Sequence, residues 1–294
     1  MPLLTETENI NKNSQNFDKL PLKQMASLMC AENLAAVKAV ERAQKEIIKT
    51  VKLLEETYTK GGKIIFVGAG TSGRLGVLEA AECPPTFNTP KKLFSALIAG
   101  GNKAVFNSIE GAEDNKKQGA KDFLKFSNKK DLLIAIASSG NTPYVLGALE
   151  AAKKQGNKTV FITSNKTAKK EGADITIYLN TGAEIISGST RLKAGTAQKL
   201  VLNMLTTMTM TRAGKVYKNY MVDLQAKNQK LKNRAMRLIA LSADISLENA
   251  KKYAEQTKFN IKEAVLMAKL KISRKEAQIL LKKHKGFLRS ALNE

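Results

Sequence analysis

A single histidine, His284, in 294 residues is the first informative scarcity. A serine–histidine–aspartate triad within one chain would need that residue to fold back from near the C-terminus, and the commonest metal ligand is all but absent. Acid–base chemistry then falls to Glu, Asp, Lys or Tyr. The two cysteines, Cys30 and Cys83, cannot build a disulfide framework, and no CxxC pair or Cys/His cluster suits zinc. No metal and no cofactor is expected. No apolar run reaches the roughly eighteen residues that a transmembrane helix needs. The stretch from Met1 to Asn16 is polar and lacks the apolar core of a secretory signal, so a cytoplasmic location is expected.

Tryptophan is absent and aromatics make up 5 % of the chain, although the formal net charge is +23. A nucleic-acid interface would cluster its basic residues and interleave aromatics or a known motif. Here lysines are scattered along the whole chain. The charge reads as a lysine-rich surface that also attracts phosphorylated ligands. Neither a nucleic acid nor a membrane is expected as a partner.

What is present is an alternation of periods. From Pro21 to Lys60, Leu28, Leu34, Val37, Val40, Ile47, Ile48 and Val51 recur near helical spacing, and Gly61-Gly62 ends the segment. Short apolar runs at Lys63–Val67, Leu93–Ala99, Leu132–Ala137, Thr159–Thr163 and Ile175–Leu179 suit buried strands. Helices are expected from about Arg74, over Pro143–Gln155 and over Lys193–Arg212, the last apolar on most sides and therefore buried. This order predicts a three-layer α/β domain with a mainly parallel sheet over residues 61–234, with residues 1–60 packing on it. Residues 235–294 read as a small all-helical domain, with capping-box spacing at Asn260–Glu263 and Ser273–Glu276.

Two strand-to-helix loops are rich in Gly, Ser and Thr. The first is Gly68-Ala69-Gly70-Thr71-Ser72-Gly73-Arg74, and the second is Ser138-Ser139-Gly140-Asn141-Thr142. Hydroxyls and free N–H groups at a helix N-terminus hold anions. The first loop formally matches the dinucleotide fingerprint, but no acidic residue follows at Ala99-Gly100-Gly101 to take a ribose, so a nucleotide cofactor is not expected. Two such loops at the carboxyl ends of neighbouring parallel strands would face one crevice.

Strand, Ser-Ser-Gly-x-Thr, helix resembles the sugar-isomerase (SIS) domain. Longer strings resemble the N-acetylmuramic acid 6-phosphate etherase family: Gly68–Phe87, Ile109–Asn115, Ser138–Leu149 and Ser187–Leu205. The resemblance runs over the whole chain. It implies a phosphosugar substrate, cleavage of its D-lactyl ether to N-acetylglucosamine 6-phosphate and D-lactate in cell-wall recycling, a homodimer, and a C-terminal region like a ubiquitin-associated three-helix fold. It also implies substrate contacts from Thr71, Ser72, Gly73, Ser138, Ser139, Gly140, Thr142, Glu184, Ser189, Thr190 and Arg191. Two positions depart from the family's pattern, Asn141 and Glu8, where arginines are expected; Glu8 follows the Thr5-Glu6 motif.

Ether cleavage by elimination needs a base and an acid, but no nucleophile or redox group. The resemblance places these roles on Glu82, in Glu-Cys-Pro-Pro, and Glu113, in Glu-Gly-Ala-Glu-Asp. Read alone, Glu113 with Glu110 and Asp114 is an acidic turn, and Glu184 is either a third acid–base candidate or an exposed loop acid. Arg74, Arg191 and Lys193 could bind anions or pair with structural acids. Cys83 reads as a small buried hydrophobe. An SIS-type isomerase or a non-catalytic phosphosugar sensor would use the same loops, the sensor without the two glutamates.

Overall fold

The computed structural model describes residues 6–166 and 172–294. Thr5 of the N-terminal Thr5-Glu6 motif lies outside them. The five apolar runs form five strands: β1 (Ile64–Gly68), β2 (Phe94–Ile98), β3 (Leu132–Ile136), β4 (Lys158–Thr163) and β5 (Ile175–Tyr178). All four pairings are parallel, in the order β2-β1-β3-β4-β5. β1 and β3 are buried along their whole length, as continuous Val/Ile/Leu-rich runs covered on both faces should be.

The helical segment expected from Pro21 to Lys60 consists of α1 (Leu22–Arg42) and α2 (Gln44–Thr59). They meet at Ala43, where φ is −92° and ψ is 7°. No Gly or Pro marks this break. Helix α3 (Gly70–Phe87) follows β1, the short α4 (Lys103–Phe106) follows β2, α5 (Lys116–Phe126) precedes β3, α6 (Pro143–Gln155) precedes β4, and α7 (Lys193–Arg212) follows β5. One face of the sheet presents Ile65, Val67, Leu133, Ala135 and Phe161 to Phe123 of α5 and to Tyr144, Val145 and Ala148 of α6. On the other face Phe66 lies against Gly76 of α3. These are the three expected layers.

Helix α3 differs at both ends from a helix expected to run from about Arg74 to Glu82, just before the proline pair. It starts at Gly70 rather than near Arg74, so Thr71, Ser72 and Gly73 form its first turn. It also continues through Pro84 and Pro85 to Phe87. Proline removes two backbone donors there. The Thr86 hydroxyl donates to the carbonyl of Glu82 at 2.9 Å, and the N–H of Asn88 donates to that of Pro84.

The opposite, N-terminal ends of the strands are tied by carboxylates. Asp131, 2 % exposed, accepts from the backbone N–H groups of Lys63 and Asn128 and pairs with the Lys63 ammonium at 3.2 Å. Asp174 accepts from the N–H and hydroxyl of Thr159, both at 2.8 Å. Burial pushes the Asp174 carboxyl up, but these bonds and Lys158 outweigh it and hold its pKa below the ordinary value.

The chain divides into two compact units, one comprising the chain up to Ala81 with Lys91–Thr206, the other Glu82–Pro90 with Thr207–Glu294. These divisions do not coincide with the expected boundaries at 61 and 235. The second unit holds α8 (Gln229–Ala243), α9 (Leu247–Gln256), α10 (Ile261–Leu270), α11 (Arg274–Lys283) and α12 (Leu288–Ala291). Helix α10 is its centre, buried from Ile261 to Ala268. The Lys262 ammonium within it pairs with Asp223 at 2.7 Å and donates to the carbonyl of Gly286 at 2.9 Å. Ser273 and Glu276 form a complete capping box, whereas Asn260 only accepts from the N–H of Glu263. His284 is the half-buried C-cap residue of α11.

Helices α5 and α6 cross closely because Gly119 and Gly147 face backbone. A Cβ on Gly119 would stand 1.9 Å from the carbonyl oxygen of Tyr144. Gly119→Ala is therefore expected to destabilise the protein by about 3 kcal/mol, through overpacking against backbone that cannot rotate away. Urea unfolding measures it, and a loss below about 0.5 kcal/mol, the ordinary surface range, would contradict the packing described.

Candidate active site

β1 and β3 are hydrogen-bonded neighbours, with Gly68 opposite Ile136. Their chains leave in different directions, to β2 on one side and β4 on the other, so a crevice opens at their carboxyl ends. Both hydroxyl-rich segments stand there. Gly68 and Gly73 lie back to back: a Cβ on Gly68 would be 2.6 Å from the N of Gly73. Only this contact lets α3 begin directly off the strand and bring its first-turn N–H groups to the crevice.

The resulting hollow, of about 370 Å³, is lined by Thr71, Ser72, Ser138, Ser139, Thr142, Glu113 and Thr190, together with Glu8, Asp114 and Asn141. The hydroxyls of Thr71, Thr142 and Thr190 have no hydrogen-bond partner among the described residues. Thr142 is the N-cap residue of α6, but its side chain makes no capping bond. The second loop is held from behind. Asn165 donates to the carbonyl of Ser139 at 2.8 Å, and the N–H of Ser164 donates to that of Ser138 at 3.0 Å. The N–H of Asn141 donates to the Ser139 oxygen at 3.3 Å, which leaves the Ser139 proton for the hollow.

Glu113 lies in a one-turn 3-10 helix, Ala112–Asp114, and is exposed. It also borders an adjoining hollow of about 260 Å³ lined by Arg74, Asn107, Ser108 and Glu110. Arg74 donates there to the carbonyls of Val105 (3.1 Å) and Asn107 (3.0 Å), so its guanidinium braces the loop after α4.

Other candidates lie elsewhere. Glu184 is fully buried, and its two oxygens accept from the N–H groups of Lys193 (3.0 Å) and Ala194 (2.9 Å). It caps the N-terminus of α7, so it is neither an exposed loop acid nor a base facing the hollow; orphan helix N–H groups and the helix dipole hold it inward. The Lys193 ammonium, 3 % exposed, meets Glu32 at 2.5 Å and is thereby withdrawn from ligand binding. Ser189 and the exposed Arg191 do not line the hollow, and Gly73 and Gly140 shape backbone rather than face it. Glu82 is exposed and is not one of the residues that line the hollow. Cys83 beside it is buried.

Residues 46–153 match the family described as the glucokinase regulatory protein N-terminal SIS domain, and residues 114–208 match the SIS domain. The sheet domain is similar to phosphoheptose isomerases from Francisella tularensis (TM-score 0.51, 18 % identity, 65 % of this chain and 98 % of that one) and Neisseria gonorrhoeae (TM-score 0.50, 16 % identity, 65 % and 100 %). At those identities the likeness concerns the fold. Over its whole length the chain is 46 % identical to an N-acetylmuramic acid 6-phosphate etherase from Geobacillus sp. (strain WCH70), covering 97 % of this chain and 98 % of that protein. A Bacillus cereus (strain ATCC 10987) protein of the same name is 45 % identical over the same shares.

This chain belongs to the N-acetylmuramic acid 6-phosphate etherase family. Glu8 and Asn141, the two positions where the resemblance leads one to expect arginine, both line the hollow. Sequence reading missed Gln198 of α7, which is fully buried between Ser72 and Ser138. Helix α7 also carries Asn203 and several threonines, so residue type alone did not single it out.

The Glu32–Lys193 pair ties α1 to the start of α7. Burial pushes the Glu32 carboxyl up, but hydrogen bonds from Lys193, Asn13 and Asn11 outweigh it and lower its pKa below the ordinary 4.5. A depressed carboxylate contributes stability that is present above that ordinary value and lost as pH falls through the lowered one. Lys193→Met is expected to cost about 2–3 kcal/mol at neutral pH. The gap to wild type should shrink below pH 4.5. Thermal or urea unfolding across pH 3–7 tests it; a gap independent of pH would remove the pair from the account.

Proposed function

We propose that this chain cleaves the D-lactyl ether of N-acetylmuramic acid 6-phosphate, giving N-acetylglucosamine 6-phosphate and D-lactate. The observation that carries the reading is Glu113 at the rim of a hollow built from two hydroxyl-bearing helix starts, in a chain so similar to named etherases over its full length. The hydroxyls and first-turn N–H groups suit a monophosphate, which needs several donors at one point.

An ether is a poor leaving group until the sugar ring opens. The carbon beside the new aldehyde then becomes acidic. A carboxylate removes its proton, the electron pair forms a carbon–carbon double bond, and the adjacent carbon–oxygen bond breaks. The departing lactate oxygen takes a proton from a carboxylic acid. Water then adds to the unsaturated aldehyde, its oxygen going to the carbon that lost lactate and a proton returning to the carbon beside the aldehyde. Two carboxyl groups suffice for these transfers. We assign proton transfer at the reacting carbons to Glu82 and assistance of ring opening or elimination to Glu113. Thr71, Ser72, Ser138, Ser139, Thr142 and Thr190 bind the phosphosugar, with Gly73 and Gly140 shaping the two segments.

We further propose a cytoplasmic homodimer. Among the described residues, no helix is long and apolar enough to cross a membrane. Helix α1 carries Leu22 (83 % exposed) near its start and Leu34 (59 %) and Val37 (53 %) in its second half. Such a row suits burial against a second copy. Sedimentation should give twice the chain mass, and Leu34→Glu with Val37→Glu should give the monomer. A monomeric wild type would end this assignment.

For the reaction, the protein is incubated with EDTA and N-acetylmuramic acid 6-phosphate in deuterated water. D-lactate should appear with deuterium at the carbon beside the aldehyde. Glu82→Ala should lower turnover at least about 100-fold, and Glu113→Gln by a similar factor. Absence of lactate from folded wild type would transfer the site to phosphosugar isomerisation or sensing.

A further inference from the structure

The two hydroxyl-bearing segments come from different strands, and one buried side chain connects them. Gln198 of α7 is 0 % exposed. Its Oε1 accepts from the Ser72 hydroxyl at 2.9 Å, and its Nε2 donates to the Ser138 oxygen at 2.8 Å. Both serines line the hollow, whereas Gln198 does not. We propose that Gln198 is a positioning residue that sets the proton direction of both serines and so turns Ser138 into an obligate donor to the phosphate of the ligand. The inference rests on the phosphosugar reading of this hollow and adds to it.

The argument is one of counting. A serine hydroxyl has one proton and two lone pairs. Ser72 commits its proton inward to Gln198, so towards the hollow it offers its backbone N–H and an oxygen. Ser138 meets an amide N–H from behind. Its own proton cannot point there and is left for the crevice. With the Ser138 proton always turned to the crevice, the second loop offers a fixed donor there, which suits an anion that only accepts. The amide is held in turn by burial: turning it over would set oxygen against oxygen at Ser138 unless Ser138 reversed its proton as well. That reversal would withdraw the donor from the ligand. Gln198 touches no ligand in this account; it acts through Ser138.

The test measures inorganic phosphate and N-acetylglucosamine 6-phosphate binding by calorimetry, with KM and kcat for lactate release in parallel. Gln198→Met should weaken binding of both anions and raise KM roughly tenfold, the cost of one lost bond to a charged group. The kcat should stay within about threefold. Ser138→Ala should do the same. The double variant should be no worse than either alone, because the amide acts only through that hydroxyl. Where Gln198→Met does not fold by circular dichroism, Gln198→Glu carries the test at nearly the same shape. Its carboxylate accepts from Ser138 and draws the proton away, so phosphate binding falls with Ser138 present. In the Ser138→Ala background only the smaller repulsive effect of the new charge remains. Losses that multiply in the double variant, or a Gln198 variant that binds phosphate like wild type, overturn the proposal. Binding is read without turnover, so phosphate binding without lactate release would sink the etherase reading and leave this one standing. Wild type that binds neither anion overturns both.

Discussion

The parallel pairing of β1 with β3 is the constraint on which the rest of the site depends. Each strand ends at the same level, with Gly68 opposite Ile136, and the chain then leaves for opposite edges of the sheet. Parallel pairing puts both carboxyl ends on one side, and divergence keeps the following helices from covering the gap. Two helix starts therefore face one space, each bringing hydroxyls and unpaired N–H groups. The carboxylates that organise the sheet, Asp131 and Asp174, act at the other end of the strands, where they take up backbone donors without competing with an anion.

The start of α7 supplies the second fixed point. Glu184 takes two of its orphan N–H groups, and Lys193 in the same turn is neutralised by Glu32. With that turn anchored, the next turn of the helix carries Gln198 to its place behind the two loops. Three charged or polar residues from three segments thus act on one helix end. Each charge is paired or hydrogen-bonded, which is what burial demands. The second compact unit follows the same rule: Lys262 is buried in α10 only because Asp223 and a backbone carbonyl meet its ammonium. Desolvation still lowers its pKa, since burial penalises the charged form more than Asp223 favours it.

Much of the architecture was legible in the sequence because it rests on local patterns. Helices α6 and α7 fall on the expected residues, and all five strands start within a residue of the expected positions. The errors have physical causes. The start of α3 was placed late because Gly68 and Gly73 look like loop glycines, whereas their role is a close approach visible only in three dimensions. Its end was placed early because a proline pair ordinarily stops a helix.

For function, the sequence by itself determined the chemistry available: one histidine, no cysteine cluster, and two hydroxyl-rich helix starts, leaving carboxylates to move protons and hydroxyls to hold a phosphate. Those are properties of residue type and order. Only the tertiary structure decided which carboxylate faces which space. Glu113 and Glu184 look alike in the sequence, yet one borders the hollow and the other caps a helix beneath it. The same holds for Lys193 and Gln198, whose partners lie 161 residues away in one case and 126 and 60 in the other. A side chain's role is set by the group that satisfies it, and partners so distant along the chain are chosen by packing rather than by sequence neighbours.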